Sequence, residues 1–303
     1  MAHDHAHHAQ SPDDTGHAFA IGIVLNAAVV VVEVVYGLMA HSMALLADAG
    51  HNLGDVLGLI LAGGATLLAR RAPTPRRTYG YRRLTLLSAL ANGVVLLVAT
   101  GGIVSESIRR LLDPEPVVAT TVIAVAAVAA VVNGASALLF LRGREHDLNV
   151  KAAFVHLAGD AGIAVGVVVA GLVVMRTGWL WVDPVASLVV AVLILASTWA
   201  LLRHSTNLVL DAVPQKIDVD AVHFYLASLP RVVEVHDLHI WAMSTTEIAM
   251  TAHLVMPGNS CEPRFLGEVC KVLHDRFGIE HPTLQIDPQE APEACRLAPH
   301  DRV

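Results

Sequence analysis

The chain has 303 residues, 54% of them hydrophobic and only 16% charged, with a mean hydropathy of +0.57. Soluble globular domains carry roughly a quarter charged residues, so this composition points to a bilayer instead. The net charge of -7, with no basic stripe, excludes a nucleic-acid binder. Histidine is abundant at 17 copies, against three cysteines, so any metal chemistry rests on imidazole. Cys261, Cys270 and Cys295 form no CxxC pair and fit a reducing compartment rather than a disulfide framework.

In chain order, residues 1–17 carry His3, His5, His7, His8 and His17 among Asp4, Asp13 and Asp14. This stretch reads as a disordered cytoplasmic tail, either a solvated leader or an arm that collects metal loosely. Six apolar runs follow, each near the ~20 residues needed to cross a bilayer: Phe19–Met39, Ala44–Leu68, Leu86–Ile108, Ala119–Leu141, Ala153–Met175 and Pro184–Leu202. No basic n-region or small-residue cleavage site precedes the first run, which reads as a retained helix. The expected layout is a six-helix transmembrane domain over 18–205, a soluble α+β domain over 206–290 and a tail over 291–303.

Six spans put both termini on one side. Ten basic residues lie on that side, in the links after the second and fourth runs and after the sixth: Arg70, Arg71, Arg76, Arg77, Arg82, Arg83, Arg142, Arg144, Lys151 and Arg203. Only Arg109, Arg110 and Arg176 lie on the other. The positive-inside rule therefore places both termini in the cytoplasm of a multi-pass inner (plasma) membrane protein.

The ionisable residues inside the apolar runs carry the chemistry. The second run reads LLADAGHNLGD and the fifth FVHLAGD, so His51/Asp55 and His156/Asp160 each stand at i and i+4. Residues four apart share a helix face. Facing one another, the two helices offer two nitrogens and two oxygens, a tetrahedral set suited to zinc and acceptable to cobalt. Two polar pairs that merely hydrogen-bond the helices are the bland alternative. Each carboxylate costs roughly 2.5–3.5 kcal/mol at mid-membrane, which makes such glue expensive. Asp48, three residues before His51, either lines the path or is solvated at the helix end. Asn26, Glu33, Asn92, Glu106 and Asn133 read as interhelical hydrogen-bond partners. Ala186 and Ser187 in the sixth run suit close helix contact.

Beyond Ser205 a helix near Asp218–Leu229 is followed by strands near Val232–Trp241 and Glu247–Met256, a helix over Pro263–Phe277 and a strand near Thr283–Asp287. This αββαβ order is a ferredoxin-like fold with helices on one sheet face. Alternation puts His236 and His239 on opposite faces of the first strand. His253 and Asp287 converge with His236 if the strands pair in register.

Several stretches resemble the cation diffusion facilitator family, especially its bacterial cobalt–zinc–cadmium resistance branch. They are SMALLADAGHNLGD (Ser42–Asp55), RTYGYRRLTLLSALANG (Arg77–Gly93), VHLAGD (Val155–Asp160), VDPVASL (Val182–Leu188), VHDLHIWAMS (Val235–Ser244) and HPTLQIDP (His281–Pro288). The resemblance implies a homodimer of six-helix protomers with a metallochaperone-like cytoplasmic domain. It implies a zinc/proton antiporter that exports metal from the cytoplasm to the periplasm or outside. By the same resemblance the transport ligands are His51, Asp55, His156 and Asp160, and His51 at the first position resembles the zinc-selective members. His236, His253 and Asp287 become the cytoplasmic metal candidates, with His239 and His281 behind them, while Gln285 stands where relatives offer another histidine. No organic cofactor is implied; Zn2+ is the transported substrate and a candidate cytoplasmic ligand, with Co2+, Cd2+, protons and membrane lipid as the other partners. Two other readings are an intramembrane metalloenzyme, which needs a glutamate base that neither paired motif supplies, and a membrane-anchored metal sensor. The chain is expected not to be an enzyme.

Overall fold

The computed structural model describes residues 12–141, 148–257 and 263–289. Six long helices come first: α1 (Pro12–Met39), α2 (Met43–Ala69), α3 (Leu84–Leu112), α4 (Ala119–Phe140), α5 (Leu148–Thr177) and α6 (Val182–Val209). Then follow α7 (Val219–Ala227), β1 (Glu234–Ala242), β2 (Ile248–Met256), α8 (Pro263–Phe277) and β3 (His281–Pro288). Helices α2 to α6 are each long and apolar enough to cross a membrane, and α1 contributes the shorter apolar stretch Val24–Met39 among the described residues. Side chains such as Val98, Val131 and Leu139 stay more than two-thirds exposed on these helices. Apolar surface on that scale belongs against lipid tails.

The expected disordered tail needs one correction. Residues 1–11, with His3, His5, His7 and His8, lie outside the described residues, but the chain is helical from Pro12 onward. Proline suits the first helical position, because its fixed φ is preorganised and its missing N–H has no intrahelical partner to lose. The expected tail at 291–303 also lies outside the described residues.

The chain divides into two compact units, Met1–Ile60 with Asn92–Ala200, and Leu61–Ala91 with Leu201–Val303. In the first, small side chains let the helices approach closely. Ala40, Ala44 and Leu45 pack against Val122, Val125 and Ala126 of α4 and Val167 of α5. Ala47 meets Val190 and Ile194 of α6. A Cβ at Gly58 would stand 2.8 Å from the Asn92 amide nitrogen of α3, so any larger residue there must displace that side chain. Buried polar bonds add direction: the Ser107 hydroxyl donates to Ser187 Oγ at 2.9 Å, joining α3 to α6 at the small-residue contact expected there. Asp183 of α6 accepts from the Ser42 hydroxyl at 2.5 Å and from the Met43 amide at 2.6 Å, capping the start of α2 from another helix. Glu106 departs from its expected role, because it pairs with Arg109 at 2.6 Å and Arg110 at 3.1 Å within its own helix. Near the helix end the arginines satisfy it without a partner helix. Arg109 also donates to Glu115 in the following loop and holds that carboxyl below its usual pKa.

In the second unit the sheet order is β1-β2-β3, with β1 antiparallel and β3 parallel to β2. Helices α7 and α8 bury Val222, Leu226, Val269 and Leu273 against Leu238, Ile240, Met250 and Leu254 on one sheet face. Asp218 caps α7 by accepting from the Ala221 amide, and Gly278 ends α8 at φ 66. Arg82 pairs with Glu247 at 2.7 Å and Arg83 with Asp211 at 2.8 Å, tying the α2–α3 link to this unit. The αββαβ order and the single helical face agree with the sequence reading.

Candidate metal centres

Within the helices, α2 brings His51 and Asp55 to α5 and its His156 and Asp160. His51 Nε2 lies 3.3 Å from Asp160 Oδ1, and its Nδ1 lies 3.9 Å from Asp55 Oδ2. His156 Nε2 lies 3.4 Å from Asp55 Oδ2 and 3.6 Å from Asp160 Oδ2. Ligand atoms of His51, Asp55 and Asp160 fall within 4.8 Å of one another, and the His51 and His156 ring centres are 6.1 Å apart. All four sequence candidates therefore meet at one point, with His156 slightly outside the tighter trio. The site is asymmetric: the Asp160 side chain is 2% exposed and that of His156 45%. Asp55 Oδ2 and Asp160 Oδ2 are buried and have no hydrogen-bond donor among the described residues. Buried carboxylate oxygens lacking donors are costly alone and are the atoms that a cation satisfies.

Asp48 is not solvated at the helix end. It is fully buried, as are Glu33 on α1 and Asn52 on α2, and the Asn52 amide donates to Glu33 Oε2 at 3.2 Å. Asn52 escaped the sequence reading because an asparagine beside a ligand histidine carries no spacing signal.

In the α+β domain, His236 and His253 stand opposite each other on β1 and β2, with Asp287 reaching them from β3. His253 Nδ1 lies 3.0 Å and His236 Nε2 3.5 Å from Asp287 Oδ2, and the two rings are 5.2 Å apart. Both imidazoles are buried, at 9% and 8% exposure. Their ligand atoms and that of Asp287 all lie within 4.8 Å. Gln285, opposite His253, donates its amide to Asp287 Oδ1 at 2.8 Å and so fixes the carboxylate that the histidines share. His281 is elsewhere, with Nε2 2.9 Å from Arg82 Nη1.

The expected opposition of His236 and His239 fails. The β1–β2 register slips between them: His236 pairs with His253, and His239 pairs with Thr251. Directly opposed residues share a face, as do residues two apart. Both histidines therefore lie on the polar face, away from α7 and α8. The extra residue is absorbed at Asp237, which adopts φ 52. Its carboxylate sits 3.0 Å from His239 Nε2 and 3.6 Å from His253 Nε2, a contact missing from the sequence reading.

A bundle of apolar helices with two facing His–Asp pairs, followed by an α+β domain with a second histidine–carboxylate cluster, defines a multi-pass membrane protein with two candidate sites for a divalent metal. The family model of the cation efflux transmembrane domain matches residues 19–210, and that of the cation efflux protein cytoplasmic domain matches 214–289. The chain belongs to the cation efflux, or cation diffusion facilitator, family and is a transporter rather than an enzyme. It is 36% identical over 295 residues to the zinc transporter ZitB of Escherichia coli, covering 95% of this chain and 93% of that one. It is 32% identical over 286 residues to the metal cation efflux system protein CzcD of Cupriavidus metallidurans, covering 94% and 89%. The cadmium, cobalt and zinc/H(+)-K(+) antiporter of Bacillus subtilis is 29% identical over 291 residues, covering 95% and 92%. The solved metal-bound C-terminal domain of the CzcD transporter is 33% identical, covering 23% of this chain and 99% of that one at a TM-score of 0.21.

Proposed function

We propose that this chain exports zinc from the cytoplasm in exchange for protons, through a site made by His51, Asp55, His156 and Asp160. The single observation that carries the reading is the meeting of two imidazoles and two carboxylates at one point inside apolar helices. Zinc accepts that donor set without geometric penalty. Metal binds only neutral imidazole and ionised carboxylate, so protons compete for the same atoms and a proton gradient can drive release. The names of the relatives support metal efflux and proton exchange.

The protein works as a homodimer in the inner membrane with both termini in the cytoplasm. The basic link Arg70–Arg83 supports that orientation, and on the opposite side Arg109 and Arg110 are neutralised by Glu106 and Glu115. His236, His253 and Asp287, with Asp237 beside them, hold a regulatory metal in the cytoplasmic domain.

The test is zinc flux in proteoliposomes under an imposed pH gradient, with Asp160→Ala as the control. Wild-type protein should move zinc against a proton flow, and Asp160→Ala should fall to the background of empty vesicles at equal reconstitution. Wild-type flux in Asp160→Ala would remove the site assignment.

A further inference from the structure

Glu33 of α1 and Asp48 of α2 form a second carboxyl cluster beside the transport site that coordinates nothing in the reading above. Both side chains and Asn52 are 0% exposed. Glu33 Oε1, both oxygens of Asp48 and Asn52 Oδ1 have no hydrogen-bond donor among the described residues. Asn52, which donates to Glu33 Oε2, stands one helical turn after Asp48 on the same face of α2, so the two carboxyls share one buried polar cluster. Two ionised carboxylates are acceptors only and cannot bond; one proton between them supplies the missing donor. Among the described residues no lysine or arginine pairs with either carboxyl. The titratable groups whose charge reaches the pair are His51 on α2 and Asp160 on α5. The α4 surface beside Glu33 is Val125, Val128, Ala129 and Val132. A buried, apolar-walled carboxyl pair cannot keep two negative charges.

We propose that Glu33 and Asp48 form a proton-binding site separate from the metal ligands, holding one proton while the transport site lacks metal and releasing it when metal arrives. The coupling is electrostatic. A divalent ion held by His51 and Asp160 repels a proton on the neighbouring pair and stabilises it as two carboxylates, and charges interact strongly across a low-dielectric interior. Asn52 makes the link mechanical as well, because it follows His51 in sequence and grips Glu33 Oε2. The inference rests on the antiport reading and adds a proton carrier that the four ligands do not include.

Zinc flux and proton counterflow are measured together in proteoliposomes for wild type, Glu33→Gln and Asp48→Asn, with zinc affinity measured on the same detergent-solubilised proteins. Both variants should bind zinc with wild-type affinity at a pH where the ligands are deprotonated, and each should return one proton fewer per metal ion. An unchanged ratio with intact flux overturns the proposal. Lost zinc affinity also overturns it, by making the pair part of the metal site. If the wild type itself moved zinc with no proton counterflow, the antiport reading would fall first, and that outcome is visible without any variant. Should the variants fail to fold, infrared difference spectra of wild-type protein carrying carboxyl-labelled glutamate decide the matter. A protonated-carboxyl band should be present before zinc and vanish on its addition. Absence of that band before zinc, or its persistence afterwards, overturns the proposal.

Discussion

His51 is held between two carboxylates, Asp160 at 3.3 Å on one ring nitrogen and Asp55 at 3.9 Å on the other. In the proposed transport site its rigid ring sets the size. Replacing it by a shorter group that binds through one or both oxygens loosens both radius and coordination number. His51→Asp should keep transport but lower the zinc-to-cadmium flux ratio by about tenfold, the equivalent of ~1.4 kcal/mol. Paired flux measurements at matched expression check this, and an unchanged ratio would mean that His51 does not set selectivity. In the cytoplasmic domain the sharper residue is Asp237, whose φ of 52 is favoured by glycine and tolerated by aspartate. Asp237→Gly should keep the bulge and the melting temperature while weakening zinc binding at His236, His253 and Asp287. Asp237→Ala should weaken binding equally and also cost about 1–2 kcal/mol, the penalty for a β-carbon in the left-handed region. Titrating zinc into both full-length variants alongside thermal unfolding separates the two effects. The HxxxD pairs were legible because i,i+4 spacing on a helix leaves no freedom of face. The bulge was legible too, in a way that strict alternation hid: the apolar residues Val235, Leu238 and Ile240 step by three and then by two. The partnership of Asp48 with Glu33 left no such trace, because it joins two helices and no single helix encodes it.

At the scale of elements, α2 matters most, since it carries His51, Asp55 and Asp48 and leans on α6 at its start. The Asp183 carboxylate takes both the Ser42 hydroxyl and the Met43 amide, so the first turn of α2 is capped from a different helix. Removing it orphans a buried amide and a buried hydroxyl at once. Asp183→Ala should therefore destabilise the protein by about 1–3 kcal/mol, and Asp183→Asn should recover part of that loss, since its carbonyl still accepts one of the two bonds. Thermal unfolding in detergent measures both; equal stability of Asp183→Ala and wild type would contradict the capping role. Helices α2 and α4 match their apolar runs to within a residue because burial in lipid demands length and hydrophobicity together, while α3 and α6 continue past theirs to Leu112 and Val209. The start of α1 was less legible, since Pro12 continues the helix into a stretch whose composition reads as polar tail. The strand ends expected in the α+β domain lie within two residues of those observed, because the helices on one face force a division between apolar and polar positions.

For the whole molecule, the helices and the α+β domain present separate histidine–carboxylate clusters, while His3, His5, His7 and His8 sit ahead of Pro12 in sequence. On the proposed reading, these histidines raise the local concentration of metal and take no part in the path through the helices. Deleting residues 2–11 should reduce flux at scarce zinc and leave maximal flux unchanged. Flux against zinc concentration for the truncated protein checks this, and lost activity at saturating zinc would give the arm a structural or gating role. The unequal exposure of the transport site has a further consequence for how an ion sheds its water. On the proposed transport reading, the half-exposed His156 is the ligand that an arriving zinc ion exchanges for water first, and the buried Asp160 the one that completes its dehydration. Capture and dehydration then become successive events, His156 bearing on how fast an ion is admitted and Asp160 on how long it is retained.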